Sequence, residues 1–318
     1  MTKRYVGIDL GGTNLKLGLA SAEGELFRRL SVPTGADEGP DPVMARMAEA
    51  VRRLAEEAGL ALDDLAAVGV GAPGPLDCQA GIIHFAPNLP GWINVPVRDT
   101  LQEALGRTVV LENDANAAAY GEFRVGAARD VRSMFILTLG TGVGGGIVHE
   151  GRLVRGATDT AAELGHVIVA HGGRLCGCGN RGCLEAYASA TAVVERFRQE
   201  AGVSDLARRP RLEAKDVFEA AAAGDRAAAR IVSETAEYLA VGIASILHVL
   251  NPEMVVLTGG MMGSGEAFLE EIRGHVRRLA FPSAWEACRL CSSRLGGDAG
   301  ILGSALAAET FDRTGQLA

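Results

Sequence analysis

Lysine is nearly missing from this chain: 318 residues hold three, Lys3, Lys16 and Lys215. Arginine carries almost all of the positive charge, which reads as compositional bias rather than function. No excess of positive charge exists either, since the formal net charge is −8. That balance lacks the electrostatic footprint of a nucleic-acid partner. Long apolar runs are also missing. The longest run near a helix, Leu239 to Leu250, contains Ser245 and His248 and is too short to span a bilayer. The start, Met1-Thr-Lys-Arg-Tyr5, runs straight into a strand pattern with no apolar signal-peptide core. A cytoplasmic protein with no membrane partner is therefore expected. There is no G-x-x-x-x-G-K-[ST] and so no P-loop. What is present is a globular composition, 48% hydrophobic and long enough for two domains.

The densest chemistry lies between positions 163 and 185. Glu163-Leu-Gly-His166 is followed by Cys176-Gly-Cys178, Cys183 and Glu185. His166 and the three cysteines fall within 18 positions. A Cys3His set suits a tetrahedral, closed, structural zinc ion. The surrounding glycines let close-spaced ligands converge. Close-spaced cysteines can also form a disulfide, but nothing points to an oxidising compartment, and metal is the better reading in a cytosolic chain. His171 is nearer to the cysteines, and spacing alone does not separate it from His166. Glu163 and Glu185 are surplus to a closed Cys3His site and are left for another task. Cys288 and Cys291, a lone C-x-x-C, read as two apolar residues.

Along the chain, Tyr5 to Leu10, Leu15 to Ala20 and Leu26 to Val32 read as strands of a meander with Gly11-Gly12-Thr13-Asn14 at the first tip. Pro42 to Leu60 has the apolar spacing of an amphipathic helix. Leu65 to Val70 is a buried strand running into Gly71-Ala-Pro-Gly-Pro75. Arg107 to Glu112 is another strand, and Asn113-Asp114 precedes a helix from Ala115 to Phe123. The opening pattern then recurs. Met134 to Leu139 is a strand, residues 140–146 are a glycine loop and Ile147 to Glu150 is a returning strand. Helical sequence runs from about Ala190 to Leu250 with a break near Pro210. Met254 to Leu257 is a strand ending in Thr258-Gly259-Gly260, and a final helix covers Asp298 to Thr310.

Glycine tips after strands bring backbone N–H groups close to an anion. Thr13 and Thr141 add hydroxyl donors, and Asp9 is placed to hold Mg²⁺ directly or through water. Two such loops would clamp a nucleoside triphosphate. Gly140, Gly142 and Gly145 also satisfy G-x-G-x-x-G, but a dinucleotide fingerprint must open a helix, and the sequence here continues as strand. Asp114 stands where Asn and Asp are common helix caps. It is equally placed as a general base, because a helix N-terminus favours a charged carboxylate. Both tasks are met if Asn113 caps and Asp114 reacts.

Taken in order, Asp9-Leu-Gly-Gly-Thr-Asn14, Gly71-Ala-Pro-Gly74, Asn113-Asp114, Leu139-Gly-Thr-Gly142, Glu163-Leu-Gly-His166, Cys176-Gly-Cys178-Gly-Asn-Arg-Gly-Cys183-Leu-Glu185 and Thr258-Gly-Gly260 resemble the ROK family, most of all its glucokinase branch. The resemblance covers essentially the whole chain. It implies an α/β, actin-like ATPase (ribonuclease H-like) fold with two domains around an interdomain cleft: a small domain of 1–112 plus 300–318, and a large domain of 113–299 that holds the zinc segment 166–183. It implies ATP with Mg²⁺ as donor, an aldohexose as acceptor, glucose being favoured because residues 71–77 and 183–189 resemble the glucokinase versions, and a structural Zn²⁺. By family pattern Asp114 is the base that takes the proton of the sugar 6-hydroxyl. Asn88, Asn113, Glu163, His166 and Glu185 hold the other hydroxyls. Asp9, Gly11, Gly12 and Thr13 meet phosphate and metal, Thr141 and Gly142 form the second phosphate loop, and Gly259 and Gly260 lie near the adenosine. His166, Cys176, Cys178 and Cys183 are the zinc ligands, which favours His166 over His171. Family analogy suggests a homodimer or homotetramer.

Three other readings stay open at this level. One is a kinase for fructose or an N-acylated hexosamine, or one that takes polyphosphate as donor. Another is a sugar-responsive regulator, which needs a helix-turn-helix before the first loop, where only eight residues precede Asp9. The last is a non-catalytic sugar binder, which the presence of Asp114 disfavours.

Overall fold

The computed structural model describes residues 3–86, 88–201 and 204–318. Met1 and Thr2 of the N-terminal reading, and Pro87 beside Asn88, lie outside them. The chain divides into two compact units, 1–132 with 146–162 and 294–318, and 133–145 with 163–293.

The first unit is built on a five-stranded sheet in the order Leu26–Pro33, Asn14–Ser21, Arg4–Leu10, Leu65–Ala72, Thr108–Asn113. The first three strands form the expected antiparallel meander, and the last two run parallel to Arg4–Leu10. Side chains alternate across the sheet. Val6, Ile8 and Leu10 join Val68, Val70 and Leu111 under the helices Pro40–Glu57 and Val97–Leu105. Tyr5, Ala67 and Val110 face the helix Ala299–Thr314. That second face is packed to backbone distance. A Cβ on Gly7 would lie 1.8 Å from the Ile301 carbonyl oxygen, and one on Gly69 would lie 1.8 Å from that of Ser304. A small sheet of Leu76–Asp77, Ile82–Phe85 and Ile93–Val95 completes the unit.

In the second unit Met134–Leu139, Met254–Thr258 and Arg289–Ser292 form a parallel set, with Leu137 beside Leu257 and Val255 beside Leu290. Met254–Thr258 is buried throughout, as its unbroken apolar run requires. The helix Arg226–Leu250 packs against Ala190–Glu200, Ala214–Ala222 and Glu266–Leu279. The break in this helical stretch is wider than one proline: the described residues between Glu200 and Ala214 are non-helical, and a second interruption falls at Gly224, whose φ is +93°.

The strand after the second glycine loop runs from Val143 to His149. It starts four residues earlier than the sequence suggests, because glycines 144–146 are part of it. Being strand rather than helix, it fails the context a dinucleotide fingerprint needs. No helix among the described residues is long and apolar enough to cross a membrane.

Candidate functional site

The strand Thr108–Asn113 delivers Asn113 to the start of the helix Asp114–Val125. Asn113 Oδ1 accepts the N–H groups of Ala115 at 3.0 Å and Asn116 at 3.1 Å, so Asn113 is the cap. Asp114 is half-buried, and its Oδ1 accepts the Ala115 N–H at 2.7 Å. The loop that begins at Gly71 lies against this turn: a Cβ on Gly71 would stand 3.6 Å from Asp114 Cα.

Glu112, two residues before Asp114, is fully buried. Its Oε2 accepts from Nε and Nη2 of Arg155, and its Oε1 accepts the Asn113 N–H at 3.1 Å and Asn116 Nδ2 at 3.2 Å. A buried carboxylate with this many donors is a rigid footing, since leaving any of them unpaired would cost about 1–3 kcal/mol.

At the first tip Gly12, Thr13 and Asn14 are exposed. The tip is closed by Gly11 N–H donating to Asn14 O at 3.2 Å, and it is held by Thr34, whose hydroxyl donates to Gly11 O at 2.6 Å. Asn88 is exposed next to it; a Cβ on Gly12 would come 3.2 Å from the Asn88 carbonyl oxygen. Asp9 lies opposite Lys16 in the strand register, with 3.7 Å between Oδ2 and Nζ. Burial raises the Asp9 carboxyl above its ordinary value, and Lys16 pulls it back.

In the second unit Glu163 is exposed and leads into the single turn Leu164–His166. His166 Nδ1 is 3.7 Å from Cys176 Sγ, Cys178 Sγ is 3.7 Å from Cys183 Sγ, and one ligand atom from each of these residues lies within 4.8 Å of the others. Two thiolates about 2.3 Å from one tetrahedral zinc stand about 3.8 Å apart, so the donor set fits that ion without rearrangement. At 3.7 Å the sulfurs are not bonded, and all six cysteines are free. His171 is exposed and outside the group. Cys288 and Cys291 join no such group among the described residues; Cys291 Sγ instead contacts Met254 Sδ at 3.9 Å. Burial pushes the Cys176 thiol up to about 12, while the Asn180 backbone N–H lowers that of Cys178. A bound dication overrides such shifts and deprotonates coordinating thiols.

Beside the cluster, Glu185 opens the short helix Glu185–Ala188 and accepts the Val143 N–H at 3.0 Å. The loop at 140–142 is closed by Gly140 N–H to Gly142 O at 3.0 Å. It borders a cavity of about 1170 Å³ whose walls include Thr141, Gly260, Phe218 and Phe268, with Arg198 and Lys215 among the charged residues. Glu195, Glu213, Glu219 and Glu271 line it as well, and a space of that size is large enough for a nucleotide. Gly259, at φ +101°, turns the chain at the end of Met254–Thr258, where a Cβ would strike the Leu139 carbonyl oxygen at 2.3 Å.

Within each unit the structure places Asp9, Gly11, Gly12, Thr13 and Asn88 around one tip, Asn113 with Asp114, His166 with the three cysteines, and Thr141 with Gly260 on one cavity, whose walls include neither Gly142 nor Gly259. Sequence reasoning missed Lys16, the Glu112–Arg155 pair and the cavity walls. Lys16 carried a usable signal, being seven residues after Asp9 across a two-strand tip. Arg155, 43 residues from Glu112, carried none.

The model of the family described as the ROK family matches residues 5–310. The chain is 40% identical over 310 residues to a glucokinase of Thermotoga maritima, covering 95% of this chain and 96% of that one. Among solved structures, a ROK hexokinase from Thermus thermophilus matches with a TM-score of 0.85 at 40% identity, over 98% of this chain and 99% of that one. A ROK family glucokinase from Streptomyces griseus, solved with glucose and AMPPNP, matches with a TM-score of 0.82 at 35% identity, over 96% and 99%.

Proposed function

The chain belongs to the ROK family and has the actin-like ATPase fold of that family, and on that premise we propose that it transfers the γ-phosphoryl group of ATP to the 6-hydroxyl of glucose. The observation that carries the reading is similarity to glucokinases along nearly the entire chain, 40% over 310 residues.

In this reading Asp114 takes the proton as the 6-oxygen attacks the γ-phosphorus and ADP leaves. Phosphoryl transfer has a loose transition state, so catalysis is mostly positioning and charge stabilisation. The Glu112 anchor supports that role by fixing the turn from below. Asn113 spends its oxygen on the helix, which leaves its amide NH₂ to donate to a hydroxyl. Glu163, Glu185 and Asn88 are the remaining hydroxyl partners. His166 presents Nδ1 to the cysteines, so Nε2 is the nitrogen that would meet the sugar, as metal-bound imidazoles commonly use their second nitrogen. Gly11, Gly12, Thr13, Thr141 and Gly142 would bind phosphates, with Gly259 and Gly260 near the adenosine.

Asp9 would hold Mg²⁺, which neutralises phosphate charge when bound. His166, Cys176, Cys178 and Cys183 would hold a structural Zn²⁺; the donor set and spacing support that assignment. Assembly as a homodimer or homotetramer is proposed from family analogy.

A panel of glucose, fructose, mannose, N-acetylglucosamine and N-acetylmannosamine, assayed with ATP and with polyphosphate, tests the proposal. Glucose with ATP should have the highest kcat/KM. A higher value for an N-acylated hexosamine, or for polyphosphate as donor, would reassign the substrate.

A further inference from the structure

The carboxylate of Glu185 lies between the Cys3His cluster and the second glycine loop. Its Oε2 accepts the Val143 N–H at 3.0 Å, and its Oε1 lies 3.6 Å from Cys176 Sγ. Its base has no slack. Glu185 follows the cluster residue Cys183 by two positions, and the intervening Leu184 is fully buried, so close to the long helix that a Cβ on Gly242 would come 2.9 Å from its Cδ2. On the loop side the fit is as close: a Cβ on Gly142 would stand 2.4 Å from Glu185 Oε2.

The other flank of the cluster touches the same residue. A Cβ on Gly165, next to His166, would lie 1.9 Å from the Val143 carbonyl oxygen. Val143 is thus held through its N–H by Glu185 and approached at its carbonyl by the turn that carries His166. Ala190 N–H and the Thr191 hydroxyl hold Gly140 O and Thr141 O, each at 2.8 Å, from the segment that follows Glu185.

We propose that Glu185 is a positioning residue for the loop that binds the ATP phosphates, so that the metal cluster sets nucleotide affinity as well as sugar affinity. The inference rests on the kinase reading above. A charge-assisted bond to a backbone N–H holds the loop more firmly than a neutral one. A displacement of about 1 Å in a phosphate-binding loop is enough to lose affinity or rate. A residue that only held a sugar hydroxyl would move glucose binding and leave the nucleotide untouched.

The test is the affinity for AMPPNP without sugar, measured by calorimetry on the full-length, zinc-loaded protein, with zinc content and melting temperature recorded for each variant. Glu185→Ala should weaken AMPPNP about tenfold or more, the loss expected for one charge-assisted hydrogen bond. Glu185→Gln, which keeps an acceptor for the Val143 N–H, should stay within about threefold of wild type. Gly142→Ala should push the carboxylate aside and weaken AMPPNP with zinc retained, and combined with Glu185→Ala it should add little, because the clash is gone. If Glu185→Ala does not fold, Gly142→Ala and Glu185→Gln decide. Wild-type AMPPNP affinity in Glu185→Ala, equal losses in Glu185→Ala and Glu185→Gln, or strict additivity in the double variant would overturn the inference. A wild-type protein that binds no AMPPNP would overturn the kinase reading instead.

Discussion

At the head of the helix Asp114–Val125, Asn113 takes the two backbone N–H groups of a cap, and Asp114 is placed one residue on, with Glu112 buried beneath both. The division between Asn113 and Asp114 is legible in sequence because cap chemistry is local. The support from Glu112 is not, because its partner Arg155 is distant in sequence and an ion pair leaves no periodicity. Lys16 differs, because its place seven residues after Asp9 across a two-strand tip was a usable signal that went unread. As one of three lysines it reads as compositional scarcity, yet the strand register sets it opposite Asp9.

Charge at this scale also gives a pH prediction. Arg29 donates two hydrogen bonds to Asp298, at 2.9 and 2.7 Å, and they hold the Asp298 carboxyl below its ordinary value. A depressed carboxyl contributes stability above its unfolded pKa and loses it as pH falls through the folded one. Arg29→Met should therefore melt about 1–3 °C below wild type at pH 7, as suits an exposed pair. That gap should close as the pH falls below the ordinary carboxylate range. Melting curves from pH 7 to pH 3 check both parts.

Among elements, the meander, the helix Pro40–Glu57 and the buried strands were legible because their apolar periods are clean. The small sheet between 76 and 95 was not: its strands have two, four and three residues, too short for alternation to register. The extent of the strand Val143–His149 was hidden by its glycines, which suggest loop until packing is known. There a Cβ on Gly146 would come 2.7 Å from the Ala115 carbonyl oxygen. Gly7 makes the same kind of contact in the first sheet, and Gly7→Ala should cost about 1–3 kcal/mol or more by overpacking, read as a lower midpoint in urea. The zinc segment is a stretch that the metal, rather than a core, would organise. Cys178→Ser should release zinc and lower the melting temperature by about 10 °C or more, because structural zinc binding is coupled to folding. A wild-type protein that carries no zinc by metal analysis would remove that account.

For the molecule as a whole, the order of motifs along the chain was enough to point to the family, and the match across residues 5–310 agrees. Glucose was legible only as what the family resemblance implies, and the exclusion of an acetamido group at the sugar 2-position was not legible, because it depends on pocket volume, which no motif encodes. The role of Glu185 was legible only in part. Its spacing from the cysteines marked it as a residue the metal would brace, but its bond to Val143 depends on a contact 42 residues away in sequence.

The central claim is phosphoryl transfer to a hexose with Asp114 as the base. It is tested most directly by the rate of glucose 6-phosphate formation from ATP in Asp114→Asn beside wild type, with glucose affinity measured on the same samples. The account predicts product in the wild type and a loss of roughly a hundredfold to ten-thousandfold in kcat in the variant, with glucose still bound. Near-normal turnover in Asp114→Asn, or no glucose 6-phosphate from the wild type, would contradict it.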